Sequence, residues 1–268
     1  MTTWTPIARF LVAVAATVSP GAQVMAGVVT AQIRTVAAAP APNAELPLDL
    51  GFLDDSGRRV TLAGAFGGKS AVVIFADYTC RSLCGPVLEF TVNGLAKTGL
   101  TPGADYRLVV IGLDPRDGID AARTMRAEHM DGTSPIGQAA VFLTGGDHEI
   151  RAATQAAGLR YYYDAEHDQF AHPAAVYVVD SIGHIRRVLS PLGLDGGDLR
   201  LAIVDTGHGA VGTLADRIHL LCYGYDPVKG IYTERITTML ELAALATLVV
   251  LAGGISLMVA RERRSAPT

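Results

Sequence analysis

The sequence predicts an α/β domain with a mixed sheet, and three observations carry that prediction. Short apolar runs alternate with amphipathic stretches of helical period from Pro47 to Asp205. One of the runs, "AVVIFAD" (Ala71–Asp77), is continuous enough for a central strand buried on both faces. The last two runs meet at a tight turn, which requires an antiparallel pair beside the strand–helix alternation.

In chain order, "RRVTL" (Arg58–Leu62) and Ala71–Asp77 read as strands. A helix should begin near Cys84, with Val87, Leu88, Val92 and Leu95 on one face and Gly99 as its stop. "YRLVVIGLD" (Tyr106–Asp114) is a second buried strand, and "GLDPRDG" (Gly112–Gly118) its end and turn. Ile119–Met130 has the period of an amphipathic helix, "AVFLTG" (Ala140–Gly145) that of a strand, and His148–Ala157 that of the helix behind it. "AAVYVVD" (Ala174–Asp180) and "HIRRVLS" (His184–Ser190) make a hairpin about Ser181, Ile182 and Gly183, and "DLRLAIVDT" (Asp198–Thr206) closes as a helix.

The ends of the chain carry its surplus of apolar residues. Half of the residues are hydrophobic and the mean hydropathy is +0.31, high for a wholly water-exposed protein. Leu242–Ala260 holds no charge, and at 1.5 Å per residue it reaches about 28 Å, close to the hydrocarbon thickness of a bilayer. Arg261, Arg263 and Arg264 come next, which places the C-terminus in the cytoplasm by the positive-inside rule. Near the start, Arg9 precedes an apolar run broken by Pro20-Gly21, with small residues after it, the layout of a secretory signal or of an uncleaved anchor.

The expected organisation is therefore a signal or anchor over 1–26 and a flexible Ala/Pro linker over 27–46. A folded domain over 47–206 and a juxtamembrane extension over 207–237 come after it. A transmembrane helix over 238–260 and a cytoplasmic tail over 261–268 complete the chain. Localisation on the outer face of the cytoplasmic membrane, with lipid contact through the C-terminal helix, is the corresponding expectation. A net charge of −4 gives no electrostatic footprint for nucleic acid. No Ser/His/Asp arrangement, phosphate-cradling glycine loop or H-E-x-x-H motif is present.

The chemistry centres on "FADYTCRSLCGP" (Phe75–Pro86), where three residues separate Cys80 from Cys84 after a buried strand. If the turn is helical, residues i and i+4 share a face, and the helix N-terminus favours thiolates. Spacing alone leaves a metal pair, a redox pair and inert thiols open. Thiolate donors joined by an imidazole suit copper in either oxidation state. Seven histidines could supply that imidazole: His129, His148, His167, His172, His184, His208 and His219. His129 and His148 read as water-facing. His167 and His172 lie in a loop ahead of a strand of the same sheet. A third thiol, Cys222, reads best as buried and inert.

Leu143–Ser190, with Tyr163, Asp164, His172 and "VYVVD" in that order, resembles the Sco/SenC family of copper-binding thioredoxin-fold proteins, as does the strand leading into Cys80 and Cys84. "GTLADRIHLLCYGYDPVKGIY" (Gly212–Tyr232) before an apolar stretch is similar to the tail of a bacterial branch of that family. The resemblance implies a thioredoxin-like fold with Cys80, Cys84 and His172 as copper ligands. It also implies delivery of copper to the binuclear copper site of cytochrome c oxidase, or reduction of that site's cysteines. Arg81 stands where family members usually carry proline, Gly85 separates Cys84 from Pro86, and Pro173 comes directly after His172. The alternative class is a thiol-disulfide oxidoreductase cycling Cys80 and Cys84; a peroxidase, which needs a lone reactive cysteine, comes third.

Overall fold

A computed structural model describes residues 36–165, 167–191, 194, 196–207, 223–226, 231–234 and 244–254. The expected signal over 1–26, His208, His219, Cys222 and the cytoplasmic tail lie outside the described residues. Most of the juxtamembrane extension and of the expected membrane span does too. Residues 244–254 are helical with exposed side chains, Leu248 and Val250 among them. Among the described residues, no helix is long and apolar enough to cross a membrane.

The sheet is built on β4 (Ser70–Ala76), all seven residues of which are buried. It pairs in parallel with β5 (Tyr106–Gly112), Val72 opposite Leu108, and β5 pairs in parallel with β6 (Val141–Thr144). On the other side β10 (Val176–Val179) runs antiparallel to β4, Val176 opposite Ile74, and turns back into β11 (Ile185–Leu189). β2 (Gly51–Asp54) and β3 (Arg59–Thr61) extend the far edge, giving the order β11-β10-β4-β5-β6-β2-β3.

Side chains alternate across this sheet and define two cores. Val72, Ile74, Val110 and Phe142 face α2 (Cys84–Ala96), α3 (Ile119–His129) and the closing helix α6 (Gly196–Thr206). Val73, Phe75, Ile111 and Leu143 face α1 (Leu62–Phe66) and α5 (Asp147–Ala156). α4 (Pro135–Ala139) is one further turn, capped by the Ser134 hydroxyl, which accepts from the Gly137 N–H.

Every strand and helix expected over Arg58–Thr206 is present, with bounds shifted by a few residues. α2 ends at Ala96, three residues before Gly99. Features that were not expected include β2, α1, α4, a small hairpin over 162–171, a strand pair of Tyr223–Asp226 with Ile231–Glu234, and the short pairing of Ala37–Ala38 with Leu159–Arg160.

The stretch expected to be a flexible linker is held down where it is described. β1 (Ala37–Ala38) pairs with β7 (Leu159–Arg160), Glu45 bridges His184, and Leu46 is buried. Gly158 makes this possible. At φ +60° it passes so close to the incoming chain that a Cβ would lie 2.2 Å from the Ala39 carbonyl oxygen.

Candidate metal centre

β4 delivers the chain to the site at Asp77, where side-chain hydrogen bonds fix the turn into the cysteine loop. The Asp77 carboxylate is fully buried; Oδ1 accepts from the Thr79 backbone N–H (3.0 Å) and hydroxyl (2.9 Å). Tyr78 turns back into the sheet across Gly112, where a Cβ would meet its ring at 2.8 Å. Its hydroxyl lies between the carbonyls of Val110 (3.0 Å) and Leu143 (2.8 Å) and accepts from the Leu143 N–H (3.1 Å). The Cys80 N–H then closes a turn on the Asp77 carbonyl (3.2 Å).

The helix begins only at Cys84, so Cys80 stands in the loop before it. The expectation that both thiols share a helix face through i, i+4 spacing is corrected here. They meet because the loop folds back over the helix N-terminus. Cys84 is buried and Cys80 half-buried, and both are free thiols.

His172 arrives from the other side, carried by the hairpin of β8 (Tyr162–Asp164) and β9 (Gln169–Ala171). Its sequence, mixed polar and aromatic, reads as a loop. The Phe170 N–H donates to Asp77 Oδ2 (2.8 Å), so one buried carboxylate holds both the cysteine loop and the histidine hairpin. The peptide before Pro173 is trans. His172 Nδ1 lies 3.1 Å from the Pro173 carbonyl, which can only accept, so Nδ1 carries the ring proton. The lone pair is then on Nε2, 3.3 Å from Cys84 Sγ. Burial lowers the pKa of this ring and keeps it neutral, the form in which imidazole binds metal.

The two thiols differ in acidity. A hydrogen bond from Cys84 lowers the Cys80 pKa against the opposing effect of burial, and Ser82, 3.3 Å away at its hydroxyl, adds to the lowering. Cys84 moves the other way, because its proton is held for Cys80 and because it is buried beside that charge. In the metal-free chain the two thiols at this helix N-terminus are therefore not equivalent. One thiolate and one thiol share a proton, with His172 Nε2 as a further acceptor. Iodoacetamide should accordingly label Cys80 at a rate that stays level well below the usual thiol pKa of about 8.5, while Cys84 stays unlabelled in the folded chain. Peptide mass spectrometry after labelling between pH 5 and 8 checks it; equal labelling of both would contradict the assignment.

Arg116 braces the hairpin from outside. From the turn after β5 it contacts Asp114 (2.5 Å) and Asp168 (3.1 Å), and its guanidinium lies 5.0 Å from the centre of the Tyr163 ring. Tyr163 in turn donates to Asp168. Beneath them Asp117 accepts from the Tyr78 N–H (3.1 Å). Burial, with Asp114 and Asp77 nearby, raises its pKa to about 6.

The other described histidines stay away from the thiols or serve packing. His148 is exposed. His167 bonds Asp164 (2.8 Å), and His184 pairs with Glu45. His129, expected to face water, lies mostly covered, bonds Glu89 (2.8 Å) and stacks on Gly85, where a Cβ would sit 2.2 Å from its ring.

Cys80, Cys84 and His172 together line a cleft of about 300 Å³, walled by Leu83, Val87, Tyr162 and Phe170. Among the described residues no three or more His, Cys, Asp or Glu side chains already stand as an ion cage. The chemistry of the donors nevertheless fits a soft metal: two sulfurs, one already anionic, and a neutral imidazole with its lone pair turned inward.

The comparisons with known proteins agree with this architecture. No curated protein matches the chain. A crystal structure from Aquifex aeolicus VF5, assigned to electron transfer, matches with a TM-score of 0.53 at 20% identity, covering 65% of this chain and 96% of its own. A second from the same organism, assigned to electron transport, gives 0.51 at 19%, covering 65% and 100%. ScoI of Arabidopsis thaliana with copper bound gives 0.49 at 20%, covering 59% and 94%. The mixed α/β fold is thioredoxin-like. The family model described as SCO1/SenC matches residues 40–196, more than half of the chain, and the protein therefore belongs to the SCO1/SenC family.

Proposed function

We propose that the chain is a membrane-tethered copper chaperone that delivers copper to the binuclear copper site of cytochrome c oxidase during its assembly. One observation carries the reading. Cys84 Sγ faces the unprotonated nitrogen of His172 at 3.3 Å, with the Cys80 thiolate in the same cleft. The family to which the chain belongs supports it. The apolar C-terminal stretch and the signal-like N-terminus support a site outside the cytoplasmic membrane, with the tail anchored through it.

In this reading Cys80, Cys84 and His172 are the copper ligands. Cys80 offers a thiolate at once, and Cys84 must give up its proton as the metal enters. His172 is held in the donor tautomer by the Pro173 carbonyl. Three protein ligands in an open cleft leave room for a partner thiolate or imidazole to reach the copper, so transfer can proceed by ligand exchange. Such a site suits a carrier better than a catalyst.

The test is copper retained per chain after gel filtration of the reduced, loaded protein. The wild type should keep one, and His172→Ala should lose at least tenfold in affinity while still folding, the loss of one imidazole ligand being worth about 1.4 kcal/mol or more. Equal retention by the two would remove His172 from the site.

The asymmetry of the thiols supports a second reading, a thiol-disulfide oxidoreductase that keeps partner cysteines reduced. An accessible, acidic Cys80 with a buried Cys84 behind it is the order of an attacking and a resolving thiol. His172→Ala separates the two, because thiol exchange survives the loss of the imidazole.

A further inference from the structure

Cys80 has a second face. Away from His172 it lines another cleft, of about 550 Å³, together with Arg81, Ser82, Thr124, Met125 and Glu128, and with His129 stacked on Gly85 beneath. Cys84 lines the His172 cleft but not this one. The second cleft is more polar than the first, and it carries one charge of each sign. Arg81 and Glu128 are both exposed, and neither has an ion-pair partner among the described residues. Opposite charges that face one cleft without closing on each other match a zwitterion whose carboxylate and ammonium lie several ångströms apart. The volume suits a molecule the size of a tripeptide.

We propose that this cleft docks a low-molecular-weight thiol bearing both a carboxylate and an ammonium, and that the docked thiol reduces the oxidised cysteine pair at the Cys80 sulfur. Geometry selects the sulfur. A thiolate attacks a disulfide along the S–S axis, from the side opposite the leaving sulfur. Cys80 lines this cleft and Cys84 does not, so an attacker here reaches only Cys80, whereas the His172 cleft presents both cysteines. The docked thiolate forms a bond to Cys80 Sγ, the Cys80–Cys84 bond breaks, and its electron pair stays on Cys84, which takes up a proton. A second molecule of the thiol then displaces the first from Cys80, leaving as the small-molecule disulfide and releasing the Cys80 thiolate. Two electrons pass from two small thiols to the protein pair. The proposal goes beyond copper carriage: it assigns the reductant that restores the metal-binding form, and gives it an entrance separate from that of the metal.

The test uses the full chain with the Cys80–Cys84 disulfide formed, reduced by glutathione or by uncharged 2-mercaptoethanol in wild type, Arg81→Gln and Glu128→Gln. Quenched alkylation and mass spectrometry of the Cys80–Cys84 peptide give the rates. The rate with glutathione should saturate with concentration and fall about fivefold in each variant, as for loss of one solvent-facing charge contact. The rate with 2-mercaptoethanol should not change. Parallel changes with both thiols would mean that the charges act only on the Cys80 sulfur. A linear dependence on glutathione with no effect of either variant would mean that nothing docks. Either result overturns the proposal. One copper per chain in reduced Arg81→Gln would show an intact fold. Saturable reduction by glutathione in a wild type that retains no copper would separate failure of the copper reading from failure of this one.

Discussion

Replacing Asp77 by alanine should cost about 3–5 kcal/mol of folding stability, the range expected when a buried, multiply bonded charge is removed from its partners. The carboxylate is fully buried and takes three hydrogen bonds, from the Thr79 N–H, the Thr79 hydroxyl and the Phe170 N–H. Alanine leaves two of the donors, both backbone N–H groups, without an acceptor. The consequence for the site should be as large as that for the fold. One of those bonds holds the cysteine loop and another the hairpin that presents His172. Asp77→Asn keeps the shape and one acceptor oxygen, so it should lie between wild type and alanine. Urea unfolding of the reduced, copper-free chain measures the difference. A loss below about 1 kcal/mol for alanine would mean that the loop and the hairpin are positioned by something else.

Tyr78→Phe should cost about 2 kcal/mol although it deletes a single oxygen. The hydroxyl is buried between β5 and β6, where it accepts from the Leu143 N–H and faces the carbonyls of Val110 and Leu143. Phenylalanine preserves the contact with Phe142, 6.1 Å between ring centres, but removes the acceptor of the Leu143 N–H and the single O–H that faces the two carbonyls. Burial holds the phenol pKa far above its ordinary value, so the cost should stay constant from pH 6 to pH 9. A midpoint shift with an unchanged slope in urea would identify a native-state effect; no shift would show that the sheet closes over the missing oxygen.

Tyr78 and Asp77 also show where local sequence pattern stops informing the fold. The strand from Ala71, the helix from Cys84 and the antiparallel pair at Ser181–Gly183 are legible because each arises from a local period or a turn. Nothing local says that Tyr78 reaches Leu143, or that Asp77 meets Phe170, residues far along the chain that only the folded sheet brings near. The β8–β9 hairpin escaped for another reason. "YYYDAEHDQFA" has no clean alternation, because its strands lie over the domain with no buried face of their own. The composition of residues 36–46 gives them no means of ordering themselves in isolation. They are ordered because Gly158 and Gly183 let backbone approach backbone: the Ala39 N–H reaches the Gly158 carbonyl at 3.0 Å and the Leu46 N–H that of Gly183 at 2.8 Å. The spacing of Cys80 and Cys84 announces chemistry but not its asymmetry, which needs the loop geometry. His172 is singled out through resemblance, since no spacing rule distinguishes it from His167. His129 gives no signal at all: its place against Gly85 depends on how α2 and α3 pack.

If Cys80, Cys84 and His172 hold one copper between them, X-ray absorption of the reduced, copper-loaded chain should see all three ligands at once. The expected shell is two sulfurs and one imidazole nitrogen, with one sulfur lost in Cys80→Ser and the imidazole lost in His172→Ala. A shell of nitrogen and oxygen only, or one that neither substitution alters, would rule this site out.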